Sequence, residues 1–296
     1  MSAEVKEHLS YKVAAVITAI IVLSIAFYGA YSYLTWDWAT GPGDLLAGKG
    51  WTFGQMFYNL GLNFWLVVGG ILWLLGTVFF ILELAGVTFE GLKLRRFSLR
   101  WDAVDIATTA LCAAVYGGGL FATGGLTIIP GFTWIRPANA LTPIFGILFG
   151  LPGAFGTAIG NFIADAFAGF LSVGSIGGFV GNFLLAWLPY KFVKDASMRS
   201  GRAWAQFYLW GVLINSVWCA IYIGWWLHFI GPQSPVLASF PLTGLPAFLV
   251  WGWFTPFVII NNAIVTAIVS GPVTAALYPY AKKWGLYWRD RIQYAP

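Results

Sequence analysis

The chain has 296 residues, of which 59% are hydrophobic and only 9% charged, with a formal net charge of +5. Soluble domains carry about 25% charged residues, so this composition excludes a soluble globular protein and indicates an integral membrane protein. The basic excess sits in short clusters between apolar stretches, which speaks for membrane topology and against nucleic-acid binding.

Eight apolar spans are predicted, near 11–34, 57–86, 103–122, 138–150, 153–171, 176–192, 204–230 and 247–279. Runs of about 18 or more apolar residues recur, each long enough to cross a bilayer. The fourth span is short for a full crossing and is expected to tilt, break or insert only in part. No cleavable leader is expected, since the segment after Tyr11 is too long for a signal core and no small-residue cleavage site follows it.

Charge fixes the orientation. Lys6 and Lys12 precede the first span, and Lys93, Arg95, Arg96 and Arg100 fill the link after the second. Lys191, Lys194, Arg199 and Arg202 follow the sixth span; Lys282, Lys283, Arg289 and Arg291 follow the last. With both termini cytoplasmic, fourteen of the sixteen basic residues lie inside, leaving Lys49 and Arg136 outside. An odd number of spans would scatter the clusters over both faces. A multi-pass cell-membrane protein, an all-α bundle of about eight transmembrane helices, is therefore expected.

Tryptophans agree with that topology. Trp36, Trp38, Trp51, Trp134, Trp225, Trp226, Trp251 and Trp253 fall at predicted outer ends, and Trp101, Trp187, Trp204, Trp284 and Trp288 at inner ends. Such positions suit interfacial belts, where an indole has one apolar and one wet side.

Two units are predicted. The first two spans, joined by WDWATGPGDLLAGKG, form an N-terminal hairpin that with its basic link covers 1–100. A six-span block covers 101–296. No inverted repeat of interrupted helices is visible.

Catalytic chemistry finds no foothold. His8 and His228 are far apart and form no metal-ligand spacing. Neither a G-x-S-x-G elbow nor a Walker A sequence occurs, and Gly117-Gly118-Gly119 lacks the Lys-Ser/Thr partner of a phosphate loop. Cys112 and Cys219 read as buried free thiols. No catalytic residue, metal or cofactor is expected, and any ATP hydrolysis that drives the protein belongs to another chain.

The stretch IRPANALTPIFGILFGLPGAFGTAIGNFIADAFAG, residues 135–169, carries the most information. It breaks at Pro152-Gly153 and resumes as a Gly/Ala-rich helix bearing Asn161 and Asp165. A charge in a membrane span costs about 3 kcal/mol on insertion scales and so faces a protein interior or polar cavity. Asn161 and Asp165 are four apart and share one helix face. Asn182, Asn215, Asn261 and Asn262 add carboxamides in neighbouring spans, and Arg136 stands on the outer loop above them beside Trp134. An Asp, an Arg and several carboxamides can grip a small polar heterocycle, with Trp134, Tyr222 or Trp253 as a stacking face. A structural Asp165–Arg136 ion pair with hydrogen-bonded Asn residues is the other reading. Glu83, near the inner end of the second span, is read as snorkelling or pairing with Lys93.

Three ordered features then carry a family resemblance: ATTALCAAVYGGG with the outer loop after it, the run from Arg136 to Asp165 with its turn FGLPGAFG, and GNFLLAWLPYKFV. The six-span block resembles the substrate-binding S component of energy-coupling-factor (ECF) vitamin transporters, nearest the queuosine-precursor, QueT-like branch. The N-terminal hairpin departs from the usual six-span pattern. Ala107, Ala110 and Ala114 share a face of the first core helix, and small residues let another membrane helix come close. The resemblance implies that Ala110 and Ala114 dock a transmembrane coupling subunit that works with ATPases; internal packing of the same face is the alternative.

Three functional readings follow. The chain is the substrate-binding subunit of a small-molecule importer for a vitamin-like or nucleobase-like ligand, dependent on coupling and ATPase subunits. Alternatively it is a structural or accessory subunit of a larger membrane complex, which the hairpin and the dense aromatic surface favour. Third, it is a lipid-handling or membrane enzyme using Asp165 and Arg136.

Overall fold

The computed structural model describes residues 11–13, 15–17, 19–20, 23–24, 27, 52–90, 93–98, 101–123, 127–129, 133–134, 136–169, 171–230 and 247–294. Lys6, Lys49, Trp36, Trp38, Trp51, Arg100, most of the first predicted span and the 231–246 link lie outside these residues. The described positions between 11 and 27 are helical.

Helix α1 (Thr52–Tyr58) is followed by α2 (Leu62–Leu84), whose 23 residues cover about 35 Å at ~1.5 Å per residue. Strands β1 (Val87–Glu90) and β2 (Lys93–Ser98) then pair antiparallel, from Val87–Arg96 to Glu90–Lys93. Helix α3 (Ala103–Ala122) starts on Asp102, whose Oδ1 accepts the N–H groups of Val104 at 2.9 Å and Asp105 at 3.0 Å. That is the N-cap role for which a short carboxylate side chain is favoured. A two-stranded ribbon, β3 (Thr127–Ile129) with β4 (Thr133–Trp134), precedes a 3₁₀ turn at Pro137–Ala140 and helix α4 (Leu141–Phe149).

Helices α5 (Leu151–Phe167) and α6 (Gly174–Phe192) come next. Helix α7 runs Gly201–Ile230, and α8 runs from 248 to 283. Both contain wide turns with i→i+5 hydrogen bonding, at Phe207–Ile214, Phe248–Phe254 and Thr266–Ser270. Such turns shift the register of a helix face and are frequent at functional sites. A short α9 (Trp288–Arg291) and β5 (Gln293–Tyr294), antiparallel to β2, complete the described chain.

Among the described residues, four helices are long and apolar enough to cross a membrane: α2, α3, α7 and the rod that begins at Phe248. The protein is an all-helical membrane protein, as its composition predicted. The β1–β2–β5 sheet was not anticipated, because its basic strand reads as a linker. The short fourth span is α4 with its leading turn, Pro137–Phe149, about 20 Å long. It reverses at Gly150, whose φ of +63° lies in the left-handed region that glycine adopts without strain. Arg136, well before that reversal, reaches Asn161 well after it, so α4 and α5 run as an antiparallel hairpin.

Helices α3 and α5 come into close backbone contact. A Cβ on Gly160 would lie 2.7 Å from the Ala113 carbonyl oxygen, and one on Gly117 would lie 2.8 Å from the Gly160 oxygen. Two glycines therefore bring the backbones together, the small-residue packing expected where lipid supplies no hydrophobic drive.

Helix α2 lies against α7 and α6. Glu83 is buried, and its Oε1 accepts from Thr88 Oγ1 at 2.7 Å and Trp187 Nε1 at 2.8 Å and pairs with Lys191 Nζ at 2.8 Å. The sequence reading pointed to Lys93 or to snorkelling; the partner is Lys191, because the C-terminal end of α2 packs beside that of α6. The same packing corrects the aromatic belt. Trp251 and Trp253 are fully buried, and Trp251 stacks on Trp65 of α2 with centroids 4.9 Å apart. Trp187 and Trp288 are also buried, whereas Trp101 and Trp284 are exposed as a belt requires.

Candidate functional site

Polar side chains from α3, α4, α5, α6 and α8 meet inside the bundle. Arg136, half-buried at the start of the Pro137–Ala140 turn, donates from Nη1 to Asn161 Oδ1 at 2.9 Å. Asn161 Nδ2 donates in turn to Asp165 Oδ2 at 3.3 Å. The shared helix face predicted for Asn161 and Asp165 is thus occupied as a chain, with Asn161 standing between cation and carboxylate. Asp165 is 8% exposed and also faces the Ser175 hydroxyl at the start of α6.

The Arg136 backbone N–H donates to Asn261 Oδ1 at 3.2 Å, which ties the start of the Pro137–Ala140 turn to α8. The adjacent Asn262 accepts from Asn139 Nδ2 in a short contact. Tyr116 of α3 places its hydroxyl 2.7 Å from Asn139 Oδ1 and 2.5 Å from Asn182 Oδ1. Asn182 donates from Nδ2 to the Gly178 carbonyl at 2.8 Å, and Thr157 of α5 donates to the Asn182 carbonyl at 3.1 Å.

This set is nearly closed, and its exceptions are informative. Tyr116 has one hydroxyl proton for two carbonyls, so one of them keeps acceptor capacity. Asn262 Nδ2 is buried and has no nitrogen or oxygen partner among the described residues, only the Cys219 thiol, a weak acceptor. A weakly paired donor and an under-filled acceptor in one cluster match the alternating edge of an amide-containing heterocycle. The Arg136–Asn161–Asp165 chain beside them suits a polar or charged substituent.

Of the residues singled out from sequence, Arg136, Asn161, Asp165, Asn182, Asn261 and Asn262 come together. Asn215 does not join them by a hydrogen bond; it is fully buried on α7 and donates to the Leu185 carbonyl at 3.0 Å. The Trp134 backbone pairs with Thr127 in the β3–β4 ribbon, and its side chain lies outside the described residues. Tyr222 and Trp253, read as stacking faces, turn elsewhere: Tyr222 bonds Thr77 of α2 at 2.9 Å, and Trp253 stacks on Phe257. Sequence reasoning missed Asn139 and Tyr116. Asn139 lies only three residues after Arg136, and a tyrosine in a run of alanine and glycine signals a hydroxyl that needs a buried partner.

The alanine face of α3 is separate from this cluster. Ala107, Ala110 and Ala114 are exposed, while Cys112, Ala113, Tyr116 and Gly117 face inward. The exposed large residues Ile106, Leu111, Val115 and Phe121 flank the alanines.

Among protein families, a model described as the QueT transporter matches residues 106–279. A search of curated proteins found no match, and neither did a search of solved structures.

Proposed function

The chain belongs to the QueT transporter family, whose members are substrate-binding S components of ECF transporters, and from that premise we propose what it binds and how. The protein takes up a small vitamin-like or nucleobase-like heterocycle in the cluster of Arg136, Asn139, Asn161, Asp165, Asn182, Asn261 and Asn262. Its ligand enters from the outer side, beneath the ribbon that carries Trp134. Asn215 contributes by fixing α7 against α6. The observation that supports this reading is the buried cluster itself, in which Asn262 stands among four other carboxamides and an Asp–Arg pair.

Transport in this reading depends on a transmembrane coupling subunit and ATPases supplied by other chains. Ala110 and Ala114 are the proposed docking positions; the exposure of the alanine face, with the internal contact made by Ala113 and Gly117 instead, supports docking over internal packing. Both termini are proposed to be cytoplasmic. The test is purification from native membrane followed by identification of the small molecule and proteins retained. Recovery of a heterocycle from wild-type protein and its loss from Asp165→Asn is the expected result. A ligand-free protein that co-purifies only with subunits of another membrane complex defeats the proposal.

A second reading, an accessory subunit built on the same scaffold, draws its support from α2 and the β1–β2–β5 sheet. Both lie outside the residues matched by the family. The same purification decides between the two.

A further inference from the structure

The β1–β2 hairpin precedes the stretch matched by the family and is placed by helix α2. It folds back along the last two turns of that helix. Thr88 donates to Glu83 at 2.7 Å, and the Phe89 ring meets Phe79 edge-on with centroids 5.3 Å apart. Cross-strand pairing then sets the outer strand, with Arg95 opposite Thr88 and Leu94 opposite Phe89. Paired residues share a sheet face, and neighbours along a strand alternate. One face of the hairpin therefore carries Phe89, Leu94 and Arg96. The other carries Lys93 and Arg95 beside Thr88, whose hydroxyl Lys191 also reaches.

Lys93, Leu94, Arg95 and Arg96 are all exposed. The hairpin VTFEGLKLRRFS thus sets three cations, with Glu90 as its one carboxylate, around an uncovered leucine. The cationic side continues past Lys191, since Lys194 and Arg289 lie near enough to repel that ammonium. Beside the hairpin runs the outward face of α2. Val67, Ile71, Leu74, Val78 and Ile81 are exposed, and their alternating four- and three-residue spacing keeps them on one side. From Val67 to Ile81 this stripe covers about 21 Å at ~1.5 Å per residue. One leaflet's hydrocarbon is about 15 Å deep, so the stripe is long enough to line it.

We propose that the hairpin and the α2 stripe together hold one anionic phospholipid. Its phosphate lies on Lys93, Arg95 and Arg96, its acyl chains lie along α2, and Leu94 enters the top of the chain region. Cations near a membrane surface attract anionic headgroups, and an apolar side chain set among them suits the boundary between headgroups and chains. A free anion would use the cations and leave the stripe and Leu94 unmatched. The proposal depends neither on the polar cluster nor on which side of the membrane the hairpin faces.

The test uses full-length protein in detergent, with phosphatidylglycerol or phosphatidylcholine of identical chains added, followed by native mass spectrometry. Wild-type protein is expected to retain one phosphatidylglycerol and to lose phosphatidylcholine. Arg95→Gln with Arg96→Gln should retain phosphatidylglycerol about tenfold less or weaker still. Lys282→Gln with Lys283→Gln, a cation pair at the end of α8, should retain it as wild type does. Equal retention of the two lipids by wild-type protein overturns the proposal, and that comparison needs no variant to fold. Unaltered retention in the Arg95, Arg96 variant overturns it too. An equal loss in the Lys282, Lys283 variant also overturns it, because the attraction is then that of a diffuse positive surface. Inorganic phosphate at the same concentration is expected not to displace the lipid; displacement would make this a free-anion site instead.

Discussion

Lys191 and Glu83 form a buried ion pair, 2.8 Å apart, that joins α2 to the C-terminal end of α6. Their side chains are 10% and 1% exposed, and Glu83 Oε1 also takes the Trp187 indole and the Thr88 hydroxyl. Removing one partner of a buried pair leaves an uncompensated charge and costs about 3–5 kcal/mol, whereas an apolar replacement of both is often tolerated. Glu83→Gln and Lys191→Met, each alone, are accordingly expected to lower the melting temperature strongly. The double variant Glu83→Gln with Lys191→Met should recover most of the loss. A double-mutant cycle with thermal melts in detergent checks the pair, and additive effects would show the two residues to be uncoupled.

The Arg136–Asn161–Asp165 chain separates binding from structure. Asp165→Asn keeps the shape and one carbonyl acceptor and is cheaper to bury. It is expected to fold normally and to lose the co-purifying ligand, and Arg136→Ala should do likewise. Asn161→Leu removes the bridge between the two charges and should both destabilise and abolish binding. Melting temperature and ligand recovery, measured on all three, read out the roles. Unfolding of Asp165→Asn and Arg136→Ala with normal binding in the folded remainder would make the chain structural.

Much of this cluster was legible in the sequence, and the reason is energetic. A carboxylate and carboxamides in apolar spans are too costly to keep without interior partners, so their presence alone located Asp165, Asn161, Asn182 and the Asn261-Asn262 pair. Their partners were less legible, since Tyr116 and Asn139 are cheap residues whose value arises only when α3 and the Pro137–Ala140 turn come together. The burial of Trp251 and Trp253 was invisible for a related reason. An indole at a helix end looks the same whether lipid or another helix covers it, and only the packing of α2 decides.

The two faces of α3 should respond oppositely to bulk. Gly160→Leu drives a side chain into the Ala113 backbone 2.7 Å from its Cβ position, an overpacking that costs about 1–3 kcal/mol or more. Ala110→Leu and Ala114→Leu extend into an exposed face and should leave the melting temperature of the isolated protein unchanged. Those two variants are expected to weaken capture of the coupling subunit in a co-purification. If they melt early on their own, the alanine face packs internally.

Topology is tested in the basic sheet. A cysteine introduced at Arg95, exposed on β2, should be labelled by a membrane-impermeant maleimide only after the cytoplasmic side is opened. The native thiols are buried and contribute little background. Labelling of intact cells would reverse the orientation inferred from the basic clusters.

The pairing of Arg291 with Asp102 and Asp105 predicts that α9 is held to the start of α3 in an acid-sensitive way. Two backbone N–H groups, of which Asp105 acts most strongly, and the Arg291 guanidinium hold the Asp102 carboxyl below the usual carboxylate range. A group whose pKa is lower in the folded state contributes stability that is complete above its unfolded value, near 3.9, and is lost as pH falls through the folded value. Helix α9 should therefore stay docked from neutral pH down to the ordinary carboxylate range and loosen only below it. Asp102→Asn keeps an N-cap acceptor but removes the titrating charge, so it should flatten the acid limb. The rate at which the buried Cys112 thiol of α3 exchanges with an acid-tolerant disulfide reagent, as a function of pH, is the measurement. A wild-type profile that does not rise at acid pH, or one that Asp102→Asn leaves unaltered, would show that Asp102 plays no part in holding α9.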